Sequence, residues 1–439
     1  MSNLIVSRLG GDAALDAEKV KKTAEMLISD PSRRYVIVSA PGAAAGNVGI
    51  TDLLYLCHSS FNGNENYISI IKKISDRYSE IVAGLGIDFN VEAEISALRK
   101  SLEAGKDLDY IGSRGEYIMS KIFAEYLNWD FVDSTEVIFF NDNGTVDKEK
   151  TFKTGGERLK NFEHAVIPSF YGSMPGGKIK TFRRGDCDSA GALVACSVKA
   201  DLFEKWSETS RIYIADPSVV PEAELVRNIT YSEAIELNYV GIKVVNDDVL
   251  LMLNEAGIPL NIASIHKPDD IIITISPKLI PDIKRNLTAC ISGRRGFNVV
   301  HIHKYGLNKV HDFGEKLFGI FAKHHIACRH YLSGIHQMSV IIKTPIFDIR
   351  RNQILSEIQD EVQPDSLITE KGLSMVAVIG EGMGTVKGIF GKIFDAIADA
   401  GIKVQMIEQG ADKLNIMIGV FDADYDNAIK ALYNALIEK

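Results

Sequence analysis

Short runs rich in β-branched and other apolar residues recur through the first two thirds of the chain, at 4–7, 35–39, 131–133, 165–168, 179–182, 202–206 and 260–262. Between them lie longer stretches with helical spacing of apolar positions, beginning at 16–29. Strands alternating with helices predict an α/β domain: a mostly parallel sheet sandwiched by helices. In such sheets ligands bind in loops beyond the carboxyl ends of the strands. Three runs end in loops of that kind, at Gly10-Gly11, at Pro41-Gly42 and at Phe170-Tyr-Gly172. The stretch 67–105 has the charge pattern of exposed helices.

The last third repeats itself. Residues 299–342 superpose on 375–418 without a gap, setting Val300 on Val376, Gly306 on Gly382, Phe318 on Phe394 and Ile342 on Ile418. Each copy reads as strand, glycine loop, amphipathic helix, strand, turn, strand, which predicts two ferredoxin-like βαββαβ units. The segment 278–296 is the expected passage into them. The apolar run 313–322 has helical spacing and belongs to a core rather than a membrane.

Composition narrows the function classes. A chain of 439 residues with 24% charged residues and net charge −9 is expected to be a globular protein with no nucleic-acid or membrane partner. Its five cysteines have no metal-ligand spacing, and their odd number without a signal-like start predicts a cytoplasmic protein with free thiols. Seven of the ten histidines lie between His301 and His336, again in no zinc pattern, so no metal site is expected.

The most informative stretch is Lys178-Ile-Lys-Thr-Phe-Arg-Arg-Gly-Asp-Cys-Asp-Ser-Ala-Gly-Ala-Leu-Val-Ala195, a strand, a glycine turn and an apolar helix from about Ser189. A helix N-terminus after a glycine turn holds anions through free N–H groups. Arg184 can fork onto a carboxylate or phosphate, while Asp186 and Asp188 would repel one. This stretch resembles the second glycine loop of the aspartate kinases, Thr-Phe-Ser-Arg-Gly-Gly-Ser-Asp before a helix of small residues. Leu4-Ile-Val-Ser-Arg-Leu-Gly-Gly-Asp12 is similar to that family's first loop. Ser39-Ala-Pro-Gly42, Ile50-Thr-Asp-Leu-Leu54, Ser113-Arg-Gly-Glu-Tyr117, Ala215-Asp-Pro217 and Gly241-Ile-Lys243 follow in the family's order.

The resemblance implies an amino-acid kinase domain (1–280) followed by two ACT domains (296–365 and 372–439). It implies transfer of phosphate from Mg²⁺-ATP to L-aspartate, giving 4-phospho-L-aspartate at the start of lysine, threonine and methionine biosynthesis. Arg8 stands where the family has a lysine that neutralises the phosphoryl group, and Asp188 where an acidic residue orders the cations. Thr51, Glu116, Phe170 and Arg184 match the positions that hold the amino acid. Gly10, Gly11, Ser39, Gly42, Tyr213, Asp216 and Lys243 match the nucleotide side. Ser333, Gly334, Ile335, Gly382, Met383, Gln409, Asn415 and Ile416 match effector loops for an amino acid, lysine or threonine, in a homodimer or homotetramer joined through the ACT domains.

Several positions depart from the pattern: Asp12, Ala43, Asp186, Cys187, Arg211 and Ser218 on the nucleotide side, and His336 for an aspartate in the first repeat. These departures support a second reading, a catalytically weak homologue that senses an amino acid. Bland roles also stand beside several functional ones: a cap for Thr51, Asp12 or Asp188, core packing for Phe170, and a surface ion pair for Arg184.

Overall fold

The computed structural model describes residues 3–43, 48–62, 66–207, 211–265, 267–279, 288–328 and 330–437. Two compact units emerge, one of residues 1–212, 227–238 and 243–283, the other of 213–226, 239–242 and 284–439.

The first unit is built on β1 (Ile5–Leu9), β2 (Arg33–Val38), β3 (Asp130–Phe131), β4 (Ala165–Pro168), β5 (Tyr171–Ser173), β6 (Ile179–Thr181), β7 (Leu202–Ser207), β8 (Asn228–Thr230), β9 (Leu260–Ser264) and β10 (Lys267–Ser276). Eight of them form one sheet in the order β3-β4-β2-β1-β7-β9-β10-β8, and only the β9–β10 pair is antiparallel. The run at 179–182, expected beside the other strands, instead pairs as β6 with β5 in a separate antiparallel hairpin. A residue of left-handed backbone, Phe170 (φ 79°), turns the chain out of β4 into that hairpin. Chain order runs outward from β1 through β2 and β4 on one side and returns to β7 on the other. The reversal between β1 and β7 is the switch point at which open α/β sheets bind ligands.

Helices cover the sheet for the reasons the sequence suggests. The Ala17–Ile28 helix is capped by Asp16, whose carboxylate accepts from Lys19 N–H at 2.9 Å. The 67–105 stretch forms the helices Ile68–Leu85 and Val91–Glu103. Their charged faces hide a stripe of buried residues, Ile71, Ile74, Tyr78, Ile81, Ile95 and Leu98, so they are core helices with one wet face rather than exposed ones. No described helix is long and apolar enough to cross a membrane.

The second unit carries β11 (Cys290–His303), β12 (His330–Ser333), β13 (Gln337–Lys343), β14 (Ser366–Ile379), β15 (Met406–Glu408) and β16 (Asn415–Phe421), in one antiparallel sheet ordered β12-β13-β11-β14-β16-β15. Residues 297–303 of β11 lie between β13 and the first half of β14, completing the first βαββαβ unit with the helices Phe313–Lys323 and Thr344–Glu357. Residues 290–294 pair with 375–379 and so supply the fourth strand of the second unit. That strand lies outside the 372–439 segment expected for it, within the stretch that reads as linker. A strand pairing recruited from across the sequence leaves no local pattern to read. Residues 280–287 of the expected 278–296 passage lie outside the described residues.

Candidate active site

Three loops at the carboxyl ends of β1, β2 and β4 converge because glycines let their backbones touch. A Cβ on Gly11 would stand 2.8 Å from Ala40 O and 3.0 Å from Gly42 N, and Gly42 N–H donates to Gly11 O at 2.9 Å. Ser39 and Ser169 bring their hydroxyls to 3.2 Å, tying the ends of β2 and β4. We expect Gly11→Ala to force these loops apart and lower kcat/KM by about 100-fold, since small misplacements of reacting groups cost that much. Steady-state kinetics with the circular dichroism spectrum retained would check this.

Arg8, on β1, and Lys205, on β7, are register partners and therefore point to the same face of the sheet. Opposite that face lies the Cys187–Val198 helix, which starts two residues earlier than the sequence suggests. It approaches closely because Gly191 has no side chain: a Cβ there would lie 2.7 Å from Phe203 and 3.2 Å from Arg8 Cβ. The first turn of this helix thus delivers Asp188 between the two cations. Arg8 Nε stands 3.0 Å from Asp188 Oδ1, and Lys205 Nζ donates to Asp188 Oδ2 at 2.9 Å. Burial alone would push the Asp188 carboxyl up, but Arg8, Lys205 and Lys243 outweigh it and hold it below the usual carboxylate range. Burial likewise works against the Arg8 charge, and Asp188, Cys187 and Asp12 reverse that, raising its pKa. Asp188 is therefore an ion-pair centre, not a cap.

The substrate-side residues gather around a second acid. Glu116, on the Leu108–Leu127 helix, is 3% exposed, and Thr51 Oγ1 donates to its Oε1 at 3.4 Å. Its Oε2 is buried with no hydrogen-bond partner among the described residues. Burial pushes the Glu116 carboxyl up to about 8, against weaker opposition from backbone N–H groups, Thr51 and Arg114. Arg184, largely exposed, forms an ion pair with Asp52, the neighbour of Thr51, so the structure carries it to the Ile50–Asn62 helix that holds both. Phe170 is buried beneath, and a bulky residue at positive φ costs about 1–3 kcal/mol, a strain tolerated where a site requires it.

These geometries amount to a buried acid with one oxygen unsatisfied among the described residues, an exposed guanidinium, and a cation pair beside glycine loops and a helix N-terminus. Residues 3–264 match the amino acid kinase family, and residues 376–436 match an ACT domain. Aspartate kinase from Clostridium acetobutylicum, described as an allosteric enzyme, is 35% identical with a TM-score of 0.92, over 99% of this chain and 100% of that one. The chain belongs to the aspartate kinases. Aspartokinase 3 of Bacillus subtilis is 27% identical over 98% of this chain and 97% of its own length. The lysine-sensitive aspartokinase 3 of Escherichia coli is 24% identical over the whole of both.

Against the aspartate kinase pattern, the departures find local partners. Asp186, which by its place in the motif would break the phosphate loop, accepts from Ser189 Oγ at 2.6 Å and from Asn246 Nδ2, and burial raises its pKa. Its charge is thus held within the turn and partly dispersed. Asp12 Oδ1 lies over Gly10, where a Cβ would collide with it, and supports the Arg8 charge. Lys243 is exposed but near enough to lower the Asp188 pKa. Tyr213 and Asp216 belong to the second unit, where Asp216 accepts from Ser218 N at 2.8 Å and Ser218 Oγ at 2.7 Å in a side-chain-closed turn. Glu208, Thr209 and Ser210 of that motif lie outside the described residues. Lys205 escapes a reading of the sequence altogether. Its one signal there is a lysine two residues after Phe203 on the same face of a strand.

The effector-type residues form two loops in the second unit. Ser333, Gly334 and Ile335 are exposed on the β12–β13 turn. Beside them His336 Nδ1 accepts from Gly306 N–H at 2.9 Å, and its ring stacks on Tyr305 at 4.7 Å. In the other loop, Gly380 N–H donates to Leu414 O at 2.8 Å, which brings Gly382 and Met383 beside Asn415 and Ile416. Gln409 is exposed, whereas Met383 and Ile416 are 2% and 3% exposed, so their side chains pack the core. Gly382 sits in a short 3₁₀ turn, and the helix begins only at Ile389. Several of the histidines have ordinary polar partners, such as His301 Nδ1 with Ser339 Oγ at 2.9 Å and His330 Nδ1 with Glu408 Oε2 at 2.6 Å. No cluster of His, Cys, Asp or Glu among the described residues could hold a metal ion.

Proposed function

We propose that the first unit transfers the γ-phosphoryl group of Mg²⁺-ATP to the side-chain carboxylate of L-aspartate, forming 4-phospho-L-aspartate and ADP. The buried carboxyl of Glu116, with Oε2 left without a hydrogen-bond partner among the described residues, carries this reading. A buried acid with one oxygen unsatisfied is costly unless a cation completes it, and the α-ammonium of an amino acid supplies both charge and donors. Arg184, held by an exposed and therefore weak pair to Asp52, is free to exchange that partner for a substrate carboxylate. Thr51 steadies the Glu116 oxygen that it already contacts.

Phosphoryl transfer needs positioning and positive charge more than covalent chemistry. Arg8, Lys243, the Gly10-Gly11 backbone and the N-terminus of the Cys187–Val198 helix suit the phosphates, and Mg²⁺ travelling with ATP adds charge neutralisation when bound. The substrate carboxylate oxygen forms the new P–O bond as the bond to the β,γ-bridging oxygen breaks, and ADP leaves with that electron pair. A coupled ADP-release assay in Mg²⁺-ATP tests the proposal. Turnover that requires aspartate supports it, and a folded protein without aspartate-dependent ADP release refutes it.

The second unit is read as the regulatory part, taking an amino-acid effector of the lysine or threonine type and joining subunits as a homodimer or homotetramer. The name of the lysine-sensitive relative and the ACT match support this. We place the effector in the loop of Gly382, Gln409 and Asn415, because His336 already fills the donor site of the first-repeat loop.

A further inference from the structure

Lys205 belongs to no motif of the first glycine loop or the second, yet it shares the buried acid of both. Three observations define its position. It is the register partner of Arg8 across the β1–β7 switch point. Its ammonium donates to Asp188 Oδ2 at 2.9 Å, with Val244 O a second acceptor at 3.4 Å. Its side chain is 13% exposed, so the pair is largely shielded from water.

The consequence lies in how Asp188 divides its oxygens. An arginine facing a carboxylate closes most strongly as a two-toothed fork, both oxygens bound by one guanidinium. Arg8 forms no such fork: its Nε approaches Oδ1 at 3.0 Å without hydrogen-bond alignment. Lys205 occupies the other oxygen. Arg8 and Asp188 alone would sum to zero charge, and a neutral fork attracts no phosphate. With Lys205 the three groups sum to +1 in a poorly hydrated place, where charge acts strongly.

We propose that Lys205 is a positioning residue for nucleotide binding, which denies Asp188 Oδ2 to Arg8 and so keeps the guanidinium open and the cluster cationic for the ATP phosphates. This inference rests on the phosphoryl-transfer reading above for its ligand. It also accounts for an arginine in the lysine position of the first loop. A lysine there cannot fork a carboxylate, whereas an arginine needs a competitor that prevents it from doing so.

The test is isothermal calorimetry on the full chain, titrating Mg²⁺-ATP and L-aspartate separately into wild type, Lys205→Met, Lys205→Arg, Arg8→Lys and the double variant Arg8→Lys/Lys205→Met. Binding is measured with one substrate at a time, so it does not depend on turnover. A failure of the kinase reading would show separately, as absent ADP release by the wild type. Lys205→Met is expected to weaken ATP about tenfold or more while aspartate affinity stays close to wild type. Lys205→Arg should restore most of the ATP affinity. In the Arg8→Lys background, which lacks a fork, Lys205→Met should cost clearly less than it does beside Arg8. Unchanged ATP affinity in Lys205→Met overturns the proposal, as does equal weakening of both substrates. So does strict additivity of the two substitutions. If Lys205→Met does not fold, Lys205→Arg and Lys205→Gln carry the same comparison, and equal loss of both ligands in them overturns it.

Discussion

Glu116→Gln is expected to abolish measurable aspartate binding and at the same time to stabilise the free protein at alkaline pH. The carboxyl is raised to about 8 in the folded chain by burial, from an ordinary value of 4.5. Between those values the folded state holds a proton that the unfolded state has released, so stability falls as pH rises through this window. The loss is on the order of a few kcal/mol by pH 9, because each tenfold difference in proton affinity between the two states is worth about 1.4 kcal/mol. Glutamine keeps the shape and cannot ionise, so the stability gap between variant and wild type should widen from pH 5 to pH 9. Urea unfolding followed by tryptophan fluorescence reads this directly, since both tryptophans, Trp129 and Trp206, lie in the first unit.

The same group makes a second, linked statement about binding. An ammonium arriving at Glu116 favours the ionised acid, so aspartate binding below pH 8 must expel a proton. Affinity for aspartate should rise with pH up to about 8 and then level off. Calorimetry in buffers of different ionisation enthalpy would show the released proton. Binding without proton release, or a variant that keeps wild-type affinity, would place the ammonium elsewhere.

Asp188→Asn should be the more damaging change to the fold. It leaves Arg8 and Lys205 buried without their shared counterion, and removing one partner of a buried ionic group typically costs about 3–5 kcal/mol. The sign with pH is opposite to that of Glu116. The Asp188 pKa is depressed in the folded state by its cations, so its contribution is present at neutral pH and lost only as pH falls through the depressed value. The deficit of the variant should therefore be full at pH 7 and shrink only in strong acid. Activity should fall by about 100-fold or more, because the cations lose the anchor that orients them. Weak ATP binding can persist in this variant, since two positive charges remain. Denaturation curves at pH 7 and pH 3.5, paired with the ADP-release rate, would separate the two effects. Equal stability of variant and wild type at neutral pH would contradict the ion-pair geometry.

How far the sequence carries depends on the range of the interaction concerned. Periodicity exposes the α/β core because side chains alternate or repeat along one local element. Gly10, Gly11 and Gly42 are legible as loop glycines, and close backbone approach at Gly11 and Gly42, with the Asp12 side chain over Gly10, shows what a larger residue would meet there. Asp186 looks like an intruding charge along the chain, since one of its two hydrogen-bond donors, Asn246, is sixty residues away. The β6 strand is easily misplaced because a short apolar run looks the same in a hairpin as in a sheet. The fourth strand of the second ferredoxin-like unit is hidden because it precedes the first unit in the chain.

The amino-acid sequence by itself determined the two-part organisation, the aspartate kinase kinship, and the choice of Glu116, Arg184, Arg8 and Asp188 as candidate site residues. Those follow from local patterns and from motif order, which survive without coordinates. Only the tertiary structure decided which charges face one another. It set Lys205 against Asp188, held Asp186 away in its own turn, and left Glu116 buried with one oxygen open. Electrostatic energies depend on separations and on burial, and neither is written in the spacing of residues along a chain.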